Sequence, residues 1–211
     1  MAKKSHSVWT SIRFWRQSAA WVTGFAVVLL ILLTFDTMKQ IKMGGKRVPA
    51  PTVINHHIDY KYSKKRGHEV PVIGDKEPFF GKEWKPKEAA ALLHKGKLTV
   101  QAKNCMNCHT LLGNGAYYAP DLTKAWLDPK WKQIMPMVGA KTKEEAIAKF
   151  LQHPEMYPTH ERRMPNLKIT PDEAKAVVAF LKHMSAIDTN GFPRGFSKGV
   201  EEFKAGGTYA H

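Results

Sequence analysis

Hydrophobic positions along this chain fall into two unlike patterns. From Ala19 to Phe35 the sequence is almost unbroken apolar, AAWVTGFAVVLLILLTF, interrupted only by Thr23, Gly24 and Thr34. Beyond Pro86, apolar positions recur instead at helical spacing, and three amphipathic helices are predicted. The first covers Lys87 to Lys97 (KEAAALLHKGK), and the second covers Thr142 to Leu151 (TKEEAIAKFL). The last covers Pro171 to Ser185, where Ala174, Val177, Val178 and Leu181 share one face. Thr142 with Glu145, and Thr170 with Glu173, stand at capping-box spacing, and Pro171 suits a first helical position. Between the two patterns, residues 37–86 contain Pro49, Pro51, Pro71, Pro78 and Pro86, which break any long helix. Val53–Ile54 and Val70 to Ile73 are strand-like, but no sheet is predicted, and the segment reads as loop. At roughly fifty residues it is long for a structureless linker and is expected to pack on a partner or on the helical domain.

The apolar run is 17 residues, and Trp15 and Asp36 bracket it. About 20 helical residues span roughly 30 Å, the thickness of a bilayer's hydrocarbon core. Trp15 and Trp21 suit an interface, and Arg13 and Arg16 suit snorkelling to headgroups. A cleaved signal peptide fits a basic start and an apolar stretch too, but this run exceeds the usual signal core. Asp36-Thr37-Met38-Lys39-Gln40 also lacks small residues at a cleavage spacing, so an uncleaved anchor is expected. The resulting partition is a cytoplasmic N-terminus over 1–17, an anchor over 18–36 and a basic connector over 37–86. A helical domain over 87–193 and a C-terminal tail over 194–211 complete it. Flanking charge does not orient the anchor, because Lys3, Lys4, Arg13 and Arg16 balance Lys39, Lys42, Lys46 and Arg47.

Composition sharpens this picture in one respect. The 211 residues hold 33 Lys and Arg against 18 Asp and Glu, a formal charge of +15, with 43% apolar residues. That balance excludes a wholly disordered chain and a multi-span membrane protein. Between Met38 and Arg66 eight basic residues face Asp59 alone, as in segments drawn to anionic headgroups, so membrane lipid is an expected contact. Past the anchor, 29 basic and 17 acidic side chains remain, a surface that would steer an acidic partner or simply serve solubility and lipid contact. No nucleic acid is expected among the partners.

The chemistry is concentrated in Asn104-Cys105-Met106-Asn107-Cys108-His109-Thr110. C-x-x-C-H is the attachment signature of c-type haem. Each thiol adds across one vinyl group, two intervening residues let both sulfurs reach neighbouring edges of one ring, and His109 follows as the proximal ligand. One covalently attached haem c is therefore the expected cofactor. A thioredoxin-like pair would sit in a βαβ pattern, which is not visible, and a zinc site would need further ligands at set spacing. Haem attachment outside the cytoplasm breaks the charge tie and puts the domain in the periplasm of a single-pass inner-membrane protein. The predicted architecture is all-α: one N-terminal transmembrane helix plus a small monohaem cytochrome c domain.

Among candidates for the sixth ligand, Met164 is favoured. Arg162-Arg163-Met164-Pro165 reads as an extended loop, with Pro165 keeping Met164 out of helical conformation just ahead of the final helix. His153 and His160 are the bis-histidine alternatives, and ordinary loop packing is the bland one. His183 and Met184 read as packing or surface residues. Leu111 to Trp126 (LLGNGAYYAPDLTKAW) adds Gly113 and Gly115 for close backbone approach, and Tyr117, Tyr118 and Trp126 for packing on the ring or donating to a propionate. Pro120, eleven residues after His109, is a candidate acceptor for the second imidazole nitrogen.

CMNCHTLLGNGAYYAPDLTKAW and RRMPNLKITPDEAKAVVAFLKHMSAIDTN resemble the cytochrome c subunit of bacterial nitric oxide reductase. The resemblance runs roughly from Leu93 to Pro193, together with the anchor; its specific parts are HTLLGNGAYYAPDL and the closing AIDTNGFP. It implies a non-catalytic, membrane-anchored periplasmic subunit. Such a subunit takes electrons from a soluble donor, a small cytochrome c or cupredoxin, and passes them to a large haem-b catalytic subunit that reduces nitric oxide to nitrous oxide. It also implies covalent attachment at Cys105 and Cys108, with His109 and Met164 as axial ligands. Two departures stand out: the basic stretch from Met38 to Lys85 is longer than the family's connector, and Phe192 stands where tryptophan is expected. An electron-input subunit of an oxygen-reducing haem–copper oxidase, and a free-standing tethered carrier or haem sensor, are the alternative readings.

Overall fold

The computed structural model describes residues 8–44, 47–157 and 163–193. His160 and Arg162, and the tail over 194–211, lie outside the described residues. The chain divides into two units, Met1–Lys46 and Arg47–His211.

Helix α1, Ile12–Gly44, fills most of the first unit. Its 33 residues correspond to roughly 50 Å of helix, longer than a hydrocarbon core. Ile12–Lys39 is long and apolar enough to cross a membrane, and none of its most apolar stretch is buried against protein. The interior of such a helix satisfies its backbone groups internally, and Thr34 Oγ1 likewise donates to Leu30 O at 2.7 Å. At its start Trp9, Phe14 and Trp15 form an edge-on aromatic group, tied by Trp15 Nε1 donating to Trp9 O at 2.9 Å.

The second unit is mostly helical. Its helices are α2 (Pro86–Ala102), α3 (Trp131–Met137), α4 (Lys143–Gln152) and α5 (Pro171–Ala186). α2 and α5 make the central crossing, and Gly96 permits it: a Cβ there would collide with the Ala176 carbonyl oxygen. α5 begins with a full capping box, Thr170 accepting from Glu173 N while the Glu173 carboxylate accepts from Thr170 N. α4 is capped by Thr142 accepting from Glu145 N. One core runs through these helices, built on Leu93, Val100, Trp126, Ile147, Val178 and Leu181 among others.

The segment expected to be loop departs from that expectation. β1 (His56–Ser63) and β2 (His68–Lys76) form an antiparallel hairpin, with Tyr60 opposite Pro71 and Ser63 opposite His68. Pro71 is tolerated because a two-stranded ribbon leaves one edge of each strand unpaired. Ile58 packs with Val53 and Ala186, so the hairpin closes over the end of α5. Asn55 clasps the returning chain, donating from Nδ2 to Trp84 O and accepting from Trp84 N. Tertiary packing on α5, invisible to local pattern, makes the hairpin. α3 was not expected either, because Pro136 lies within it.

Candidate haem site

The attachment motif opens on Asn104 in the left-handed region, followed by a 3-10 turn over Cys105–Asn107. Cys108 N and His109 N both donate to Cys105 O, at 3.3 and 3.0 Å, which closes one tight turn around the two thiols. Both cysteines are free and half-buried. Burial pushes the Cys105 thiol up, so it stays protonated at neutral pH.

His109 is then fixed from one side. Its Nδ1 lies 2.7 Å from the carbonyl oxygen of Pro120, a bond in which Nδ1–H donates and Nε2 is left as the free lone pair. The chain around Pro120 is pinned on both flanks, by Ala119 N donating to Cys108 O (2.8 Å) and Leu122 N donating to Thr110 O (2.7 Å). β3 (Thr110–Leu111) and β4 (Asn114–Gly115) form a miniature hairpin beside it. Its two-residue turn puts both Leu112 (φ 52°) and Gly113 (φ 81°) in the left-handed region, as a tight hairpin turn requires. Gly115 (φ 119°) lies against the motif itself, since a Cβ there would collide with His109 O.

The other residues singled out from sequence are distributed differently. Met164 is half-buried on a segment without regular structure ahead of α5, and it and Cys105 pack against the same hydrophobic core. Tyr117 is 83% exposed, with its hydroxyl 3.4 Å from Gly113 O, and Tyr118 is 54% exposed. His153 is exposed beside Glu155. The two stretches that carry the family resemblance meet at Gly113, where a Cβ would stand 3.6 Å from the Phe192 ring.

Several residues that shape this region were not singled out by sequence. Asp121 accepts from Thr110 Oγ1 (2.6 Å) and Thr123 N (2.7 Å), and Thr123 Oγ1 accepts from Leu112 N (2.8 Å). Two lysines are almost wholly buried, Lys182 at 1% exposure and Lys124 at 2%. Lys182 Nζ pairs with Glu77 at 2.6 Å; Lys124 Nζ donates to Ser185 O and Ile187 O and lies over the Tyr60 ring. Burial holds Lys124 down from its ordinary 10.5 to about 7. The signal for both was a lysine on an otherwise apolar stretch, which reads equally as a solvated face.

The residues fit a covalently held haem: two free thiols in one turn, and an imidazole bonded through Nδ1 so that Nε2 is the nitrogen left for a ligand. The fold and this site define a c-type cytochrome domain in a chain that also carries a helix able to cross a membrane. Residues 93–185 match the family model for cytochrome c, and the domain carries a covalently bound haem c. The chain is 28% identical over 118 residues to the C subunit of nitric oxide reductase from Stutzerimonas stutzeri, covering 56% of this chain and 75% of that protein. It is 31% identical over 103 residues to the nitric oxide reductase C subunit of Paracoccus denitrificans, covering 47% and 63%. The protein of the same name from Halomonas halodenitrificans is 28% identical over 98 residues, covering 46% and 62%.

Proposed function

We propose that this chain is the electron-input subunit of a nitric oxide reductase-type complex. The observation that carries the reading is the match to relatives named as the C subunit of nitric oxide reductase, at 28–31% identity. Bound haem c supplies reversible one-electron oxidation and reduction. Cys105 and Cys108 would hold it as thioethers and His109 would ligate it through Nε2, with the Pro120 carbonyl fixing the imidazole. Met164 would supply its second protein ligand. A methionine–histidine pair raises the reduction potential relative to two histidines and leaves no open position for substrate. Catalysis therefore belongs to a partner, a large haem-b membrane subunit that reduces nitric oxide to nitrous oxide. The domain lies in the periplasm, where a small cytochrome c or cupredoxin delivers electrons. Tyr117 and Tyr118 would pack on the ring or donate to a propionate, and the basic residues after the anchor would meet lipid headgroups.

Purification from native membranes in mild detergent, with a reduced-minus-oxidised spectrum and gas-consumption assays, tests this. Mixed c- and b-type haem bands with nitric oxide consumption are the expected result. Oxygen consumption without nitric oxide turnover, or a lone c-type spectrum with no partner, would overturn it.

A further inference from the structure

The hydrogen bond from His109 to Pro120 needs its carbonyl held still, and Pro120 has no N–H with which to anchor itself. The segment after it is held by the backbone bond from Leu122 N to Thr110 O and by one carboxylate. Asp121 Oδ2 accepts from the hydroxyl of Thr110, the residue adjoining His109, and Asp121 Oδ1 accepts from Thr123 N. Thr123 Oγ1 in turn accepts from Leu112 N, at the miniature turn. Thr110 and Thr123 are both buried, so each donor would be costly to leave unpaired. The carboxylate thus ties three points, the two residues around Pro120's exit and the residue after the imidazole, into one clasp.

We infer that Asp121 is a positioning residue: through its clasp on Thr110 and Thr123 it sets the strength of the His109–Pro120 hydrogen bond, and thereby the reduction potential. Donation from Nδ1–H into a well-placed carbonyl makes the imidazole a stronger electron donor at Nε2 and favours the oxidised protein. Loosening the clasp weakens that donation and raises the potential. The inference rests on His109 as axial ligand, as proposed above.

The full-length, haem-loaded protein serves for the test, with two readouts: midpoint potential, and exchange of the His109 Nδ1 proton seen by paramagnetic NMR. Asp121→Ala is expected to raise the potential by about 59 mV, a tenfold change in a one-electron equilibrium, and to speed proton exchange at least tenfold. Asp121→Asn keeps an acceptor for Thr123 N and a partner for Thr110, so its proton stays protected. Thr110→Val removes one donor and is expected to fall between wild type and alanine; it decides the matter if the alanine variant does not mature. Potential and exchange at wild-type values in Asp121→Ala or Thr110→Val would overturn the inference. So would exchange in Asp121→Asn as fast as in the alanine variant, since charge rather than position would then be at work. A wild type with no shifted His109 resonance would overturn the ligand assignment itself, a distinct failure.

Discussion

The two segments outside the helical pattern, the hairpin over 56–76 and the loop over 103–127, are held in place by unlike means. The loop is fixed mainly by its own backbone: Ala116 N to Met106 O, Ala119 N to Cys108 O and Leu122 N to Thr110 O. The hairpin is fixed by side chains that reach far along the sequence. Lys182 pairs with Glu77, Arg66 forks onto Asp188 and Asn190, and Tyr60 donates to Ile187 O. Neutral backbone bonds hold the residues around His109 whatever the pH, with the Asp121 carboxylate as an added clasp. Ionic anchors lack that indifference, because half of a buried pair is worse than none.

Breaking the loop is expected to have the largest effect. Gly115→Ala puts a methyl against His109 O at a φ of 119°, and is expected to cost about 3 kcal/mol or more in denaturant unfolding. Breaking the hairpin's anchor comes next. Burial alone would raise the Glu77 carboxyl, but the hydrogen bond and charge of Lys182, with His57, hold it below its ordinary value. Glu77 is partly open to solvent, so Glu77→Gln is expected to cost about 2 kcal/mol, short of a fully buried pair. Glu77→Gln combined with Lys182→Met should restore most of that loss in the same measurement, since no charge is then left buried.

A pH titration separates the regions further. Lys124 joins them, with its ammonium between the carbonyls ending α5 and the Tyr60 ring of β1. Its folded value of about 7 lies below its ordinary 10.5, so between those values the unfolded chain binds the extra proton. Stability therefore rises with pH across that window and gains no slope from this group below it. The rise is at most about 1.4 kcal/mol per pH unit from one group, and Lys143, held down to about 8 by burial, adds in the same sense. Unfolding free energies from pH 7 to 9.5 should climb in wild type and climb less in Lys124→Met. The smallest effect is expected outside both regions, where Thr170→Ala removes a helix cap at a cost of about 1 kcal/mol.

The same contrast explains what could be read from sequence. α2, α4 and α5, with the caps at Thr142 and Thr170, follow from periodicity and local chemistry. Cys105, Cys108 and His109 stand out by spacing as haem-attachment candidates, and Pro120 was reachable because the loop folds on a partner eleven residues away. The hairpin was not legible, because Glu77 and Lys182 are 105 residues apart and part of the cover of Ile58 comes from Ala186, far along the chain. Nothing local marks Gly96; its meaning lies in the Ala176 carbonyl of another helix. Nothing local marks Asp121 either, since its role depends on the Thr110 hydroxyl that only the folded loop brings to it.

The central claim, a six-coordinate electron-transfer haem ligated by His109 and Met164, is tested most directly by carbon monoxide titration of the reduced full-length protein beside its Met164→Ala variant. The account predicts no binding to wild type, and binding to the variant together with a sharply lower reduction potential. Carbon monoxide binding to wild type, or a variant whose potential is unchanged, would contradict it.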